Sequence, residues 1–303
     1  MISMRLRIVK QTLEENLPLL NVEANKVNRG NGEIAYQLTN SKYLQKAISE
    51  IDKLDLFKER VEKVKSYPLY THSNNSILFS NNEYNGLYQE LGHLREECAN
   101  LSNALTKLIT KEVPNLISIK IPNPTSLADL EKTVTALNTI FSQTLFSEEI
   151  KGNIQIANFD NGSYWIDVFA TGVQTVTLIG GLAWSGAVVF KKLQEGRLVQ
   201  AQVKELKVKT EALQEIIDKS KEAVNQEAQR EADFLYKTFY KGSDNEQVGR
   251  IKLALKELAE LFSQGAEIHP ALEATDEIKN EFPNFKTIDR IETKIHKLEA
   301  KKK

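Results

Sequence analysis

The chain has 303 residues and a mass of 34.3 kDa, room for two domains or for one domain with a long helical extension. With 41% hydrophobic and 27% charged residues and a mean hydropathy of -0.38, it can bury a core, which excludes wholesale disorder. Forty basic against forty-one acidic residues leave a formal charge of -1, which argues against a nucleic-acid partner held by bulk positive charge.

Residues 1–10 carry Arg5 and Arg7 but no apolar run, which predicts no signal peptide and a cytoplasmic location. Ile2, Met4, Leu6 and Ile8 alternate with polar residues, the period-2 pattern of a half-buried strand. A helix running on through Leu13, Leu17 and Leu20 is the competing reading. Asn28–Gly32 predicts a turn, since its glycines and asparagines tolerate positive φ, and no phosphate-loop spacing follows it. Ile34, Tyr36 and Leu38 predict a short strand. Ser41 then caps a helix whose apolar face is Leu44, Ile48, Ile51 and Leu54. A charged helix follows up to Lys65, and then a loop around Ile77–Phe79. Residues 1–80 therefore predict a small α+β or helical unit.

Over 83–111, Leu87, Leu91, Leu94, Cys98, Leu101, Leu105 and Leu108 keep a 4-3 spacing through three heptads, a seam that calls for a partner helix. Asn81 or Asn82 is the expected cap. The same helix carries Glu90-x-x-His93 with Glu97 one turn on, a spacing used in carboxylate-bridged metal sites. No second copy exists, so the expectation is a solvated polar face and no metal; Glu292 and His296 are discounted likewise. Cys98, the single cysteine, excludes an intramolecular disulfide framework and sits on the seam as a small buried hydrophobe.

Residues 115–190 form the most legible unit. Ile117, Ile119 and Ile121 alternate as a strand stopped by Pro122. Ser126 and Asp129 resemble a capping box opening a helix with Leu130, Val134, Leu137, Ile140 and Phe141 on one face. Asp160-Asn161-Gly162 then predicts a hairpin turn between two strands.

From Val168 to Phe190, 23 residues carry no charge, and Lys191 and Lys192 follow at once. A helix of about 20 residues spans a bilayer, so length permits a transmembrane reading. Gly181 and Ser185 lie four apart, giving a surface on which another helix can approach closely, and Trp184 lies beside them. Against a span stand Gln174, three threonines, a strand running straight into the segment, and the need to export 167 preceding residues. The expectation is a buried or oligomer-buried helix, with a constitutive span and then conditional insertion as the alternatives.

A long polar helix is predicted over 192–240. Its seam runs through Val199, Val203, Leu206, Leu213, Ile217 and Val224, with Thr210 and Ser220 in two slots. Ten basic and nine acidic side chains over 191–240 predict mixed-charge solvated faces. One simple arrangement pairs the two heptad helices antiparallel. Residues 245–303 predict a helical segment, with Leu255, Leu258 and Leu261 on its first face, Gly265 as C-cap, an irregular connection over 266–286 and a short final helix.

Asn161-Gly162-Ser163-Tyr164-Trp165-Ile166, Leu178–Trp184, Lys191-Lys192, Gly265–Pro270 and Phe282-Pro283 together resemble a group of bacterial proteins of unassigned function. In that group a strand with a Gly-Ser-x-Trp signature runs into an apolar helix and then a long polar one. The resemblance covers residues 115–300. It implies a bacterial or phage-related source on mobile or defence-related loci, and it brings no catalytic residues.

The predicted fold class is α+β, predominantly helical. No nucleophile–base set, phosphate loop or metal set is visible, so no enzyme and no cofactor is expected. The expected function is interaction and assembly, with a second copy or a partner protein as the other half. Its candidate packing residues are Leu87, Leu91, Leu94, Leu101, Leu105, Gly181, Trp184, Ser185, Leu206, Leu213 and Ile217. The alternative is a membrane-acting protein, of defence-effector type, whose segment 168–190 spans or inserts conditionally.

Overall fold

The computed structural model describes residues 5–29, 33–70, 76–109, 115–147, 150–161, 164–205 and 211–295. The fold is α+β and predominantly helical, with two small sheets. It divides into two compact units, one built mainly from residues up to 111 and one from residues 112–160 and 164–303.

In the first unit the N-terminal alternation resolves as helix α1 (Leu6–Asn16), not a strand. Helical spacing puts Val9 and Leu13 in the core and leaves Ile8 41% exposed, so the longer apolar pattern wins over the short one. Strands β1 (Ala24–Asn28), β2 (Ile34–Leu38) and β3 (Ile77–Ser80) form an antiparallel sheet in that order, with Tyr36 opposite Lys26 and Phe79. Helix α2 (Ser41–Asp52) starts at Ser41, but its cap position is Asn40 and no side chain closes it. Helix α3 (Lys58–Lys65) follows.

Helix α4 (Asn81–Leu108) opens one residue earlier than the asparagines suggest. Ser80 accepts from Glu83 N–H while Glu83 Oε2 accepts from Ser80 N–H at 2.9 Å, a reciprocal capping box. Its seam joins α1, α2, Leu38 and Phe79 in one core. α4 packs on α1 and α3, so its seam finds partners inside its own unit.

In the second unit, strands β4 (Leu116–Lys120), β5 (Ile154–Asn161), β6 (Tyr164–Ala170) and β7 (Glu267–Pro270) form a sheet ordered β5-β6-β4-β7. Ile117 and Ile119 on β4 face Val168 and Ile166 on antiparallel β6, and Ile119 faces Ile268 on β7. These side chains make the inner face. Helix α5 (Leu127–Leu145) is capped by Ser126, whose side chain accepts from Asp129 N–H.

The apolar segment and the first part of the predicted polar helix are one element, helix α6 (Gly172–Glu205). Helix α7 (Glu211–Phe239) and helix α8 (Asn245–Ser263) then pack on α6 and on each other. The expected single helix over 192–240 is therefore two, because its seam residues serve a pair of helices facing each other. The connection predicted as irregular contains β7 and the short helix α9 (Asp276–Lys279), and a 3-10 turn spans Phe285–Arg290.

Candidate functional site

Helix α6 is the element around which the second unit is built. Its threonines do not make it polar: Thr175 and Thr177 hydroxyls donate to the carbonyls of Thr171 and Val173, one turn back, at 2.6 and 2.9 Å. From Thr175 to Val189, all but two residues are buried. The helix is long and apolar enough to cross a membrane, and most of that stretch is covered by its own chain.

Small residues on three sides set how closely the neighbours approach. A Cβ on Gly181 would stand 3.0 Å from Leu235 of α7, and one on Gly186 would stand 2.9 Å from Leu258 Cβ of α8. Gly180 meets Glu281 and Phe282 at 2.9 and 3.0 Å in the same sense. Lower down, Gly196 meets Ser220 Oγ at 2.7 Å, so α6 and α7 run antiparallel at close range.

Ser185 shares the Gly181 side and donates to Glu231 Oε2 at 2.6 Å. Glu231 Oε1 accepts from Thr293, which belongs to the C-terminal segment. Burial raises the Glu231 carboxyl above its ordinary range, and the Ser185 and Thr293 hydroxyls offset part of that rise. The same segment crosses α6: Trp184 Nε1 donates to Glu292 O at 2.9 Å, Lys191 Nζ donates to Ile291 O at 3.1 Å, and Lys294 Nζ lies 4.4 Å over the Trp184 ring.

Past Lys191 the pair α6/α7 becomes a two-helix arm. Val199, Val203, Leu213, Ile217, Ser220 and Val224 are only half-buried in it, while Leu198 is 61% and Ile216 is 45% exposed. Arg197 and Glu260, 2.6 Å apart, fix its base to α8. In this two-helix arm the heptad seam therefore stays partly open to solvent.

The outer face of the four-stranded sheet carries a polar row that sequence reasoning missed. Ser118 Oγ donates to Asp167 Oδ1 at 2.7 Å, both buried, and Ser118 lies opposite His269 in the register. One step along, Glu267 takes Lys120 Nζ at 2.5 Å and His269 Nε2 at 2.8 Å, and the His269 ring lies 5.3 Å from Trp165. The serine's burial denies it the access that a nucleophile needs. The signal was Ser118 and Lys120 alternating with isoleucines; their partners lie up to 147 residues away.

Leu87, Leu91, Leu94 and Leu105 are buried in the first unit's core, and Leu101 is half-buried beside them. Cys98 is buried there too, which pushes its thiol up to about 12. Gly181 and Ser185 face α7, Trp184 faces the C-terminal segment, and Leu213 and Ile217 lie in the arm. Leu206, with the Gly162-Ser163 turn and His296, lies outside the described residues. His93 is exposed, while Arg60 of α3 takes Glu97 at 2.7 Å and Glu90 at 3.4 Å, so that face is an ion-pair bridge between helices. Among the described residues no group of three or more His, Cys, Asp or Glu side chains could hold a metal.

The chain is similar to the uncharacterized protein YqaP of Bacillus subtilis (strain 168), with 27% identity over 288 residues covering 92% of each chain. No protein-family model matches the chain, and no solved structure matches it.

Proposed function

We propose that the protein is a non-enzymatic assembly protein that self-associates through the α6/α7 arm. One observation carries this reading: the arm's heptad seam is only half-covered by its own two helices, with Leu198 and Ile216 exposed at its flanks. A second arm, laid alongside, completes a four-helix bundle and removes that seam from water. The glycine-rich part of α6 then acts from inside, fixing the helix pair that carries the arm. We further propose that the Gly-Ser-x-Trp sequence followed by the apolar helix marks a group of bacterial proteins to which this chain belongs, and that its compartment is the cytoplasm.

Light scattering across a concentration series tests the reading. The expected mass rises above 34.3 kDa with concentration. The paired substitution Leu198→Lys and Ile216→Lys weakens association at least about tenfold while the circular dichroism spectrum is unchanged. A mass of one chain at every concentration, or association indifferent to the pair, overturns it. The length and hydropathy of α6 favour membrane insertion as the second reading. Native protein found in the membrane fraction and needing detergent for release decides for that one.

A further inference from the structure

The second unit's sheet ends in two edges of different character. At one, β7 has only four residues, closes on Pro270 and carries the Lys120–Glu267 ion pair beside it. Proline, charge and short length are devices that block strand addition. At the other edge β5 runs for eight residues, Ile154–Asn161, and bears none of these from Ile154 to Phe159: no charge, no proline, no glycine. Among the described residues no backbone hydrogen bond outside the sheet reaches Ile154–Phe159, so one side of this strand is open to pairing.

Its side chains agree. Ile156 is 64% and Phe159 is 57% exposed, and their positions, three apart, project them to opposite faces of the sheet. A partner lying on one face would cover one of them. A strand added along the edge covers part of both.

We infer that β5 pairs antiparallel with β5 of a second copy, joining two four-stranded sheets into one of eight. The absence of charge suits this partner. Across a two-fold axis the strand meets its own sequence reversed, and with no charge from Ile154 to Phe159 no register within that stretch sets like charges opposite each other. Nor does the stretch offer a charge for a complementary foreign strand to recognise. The chain's net charge of -1 adds little long-range repulsion between copies. The contact rests on the assembly reading above but uses a surface separate from the arm. Two self-complementary surfaces on one chain carry association past the dimer.

The experiment compares four full-length proteins by sedimentation across a concentration series: native, the arm pair Leu198→Lys with Ile216→Lys, Ile156→Lys, and all three substitutions together. The expected masses are beyond two chains for the native protein, two chains for each partial variant, and 34.3 kDa for the triple variant. If the arm variant is already a single chain at all concentrations, the β5 contact is overturned while the arm reading stands. If Ile156→Lys reduces association and the arm pair does not, the arm fails and β5 stands. A native protein that is one chain throughout overturns both.

Single cysteines at Ile156, Ala157 and Asn158 give a second readout that does not depend on weakening. A two-fold axis brings one of these positions within disulfide reach of its own copy, and oxidation then yields a covalent dimer. Cys98 is buried and does not compete. No covalent dimer from any of the three overturns the pairing.

Discussion

Glu231 on α7 accepts a 2.6 Å hydrogen bond from Ser185 Oγ on α6, and neither side chain reaches solvent. A carboxyl in that place is more costly ionised than neutral, and its folded-state pKa lies above the unfolded one. Its contribution to stability is therefore complete below the ordinary carboxyl range and is lost as pH rises through the raised value. The variant Glu231→Gln keeps an acceptor and a similar shape without the charge. It should differ from the native protein by less than about 1 kcal/mol in acid and be the more stable of the two at neutral pH, read by urea unfolding at both pH values.

Glu267 should behave with the opposite sign. Burial alone would raise its carboxyl, but hydrogen bonds from His269 and Lys120 outweigh that and hold it below the usual range. Stability from this group is present above the unfolded pKa and disappears as pH falls through the folded one. Replacing Lys120 by Met should cost about 1 kcal/mol at neutral pH, since the pair is partly exposed, and should shrink the loss seen on acidification. Chemical denaturation from neutral to acid pH measures both.

Gly186 and Gly249 make a matched pair of tests for the packing around α6. Alanine at 186 would bring two Cβ atoms to 2.9 Å, so α8 must move away, and the expected loss is about 1–3 kcal/mol. Gly249, in the second turn of α8, has nothing within 4 Å of an added Cβ. There alanine should raise stability by about 0.5–1 kcal/mol through helix propensity alone. Thermal melts of the two variants should shift in opposite directions.

The heptad leucines of α4, the isoleucine strand β4 and the apolar run of α6 were all legible in the sequence, because each repeats over enough residues for its period to be unmistakable. The first strand was not: four alternating residues looked like β structure until α1 used Val9 and Leu13 at helical spacing. β1 escaped notice because Asn25, Lys26 and Asn28 give an edge strand little apolar pattern. The break between α6 and α7 was hidden by a seam that stays in register through both helices. Gly181 and Ser185 were recognisable as a close-approach surface, yet no local pattern could say that the helix approaching is α7, 46 residues on. Nor could spacing pair Ser118 with Asp167, since strand partners are set by topology and not by period.

The ion-pair bridge at Arg60 predicts how the Glu90-x-x-His93 pattern behaves. With both carboxylates engaged by the guanidinium, added zinc should leave the melting temperature unchanged. Substituting Arg60 by Ala should leave the melting temperature nearly unchanged, as expected for a partly exposed pair. A zinc-dependent rise in melting temperature for the native protein would contradict the assignment.

The measurement that bears most directly on the assembly account is the mass of the native full-length protein, by light scattering over a concentration series, beside the Leu198→Lys, Ile216→Lys variant. The account predicts a native mass that climbs above 34.3 kDa with concentration and a variant whose mass stays below the native one over the same series. A native protein that remains at 34.3 kDa throughout, or a variant indistinguishable from it, would contradict the account.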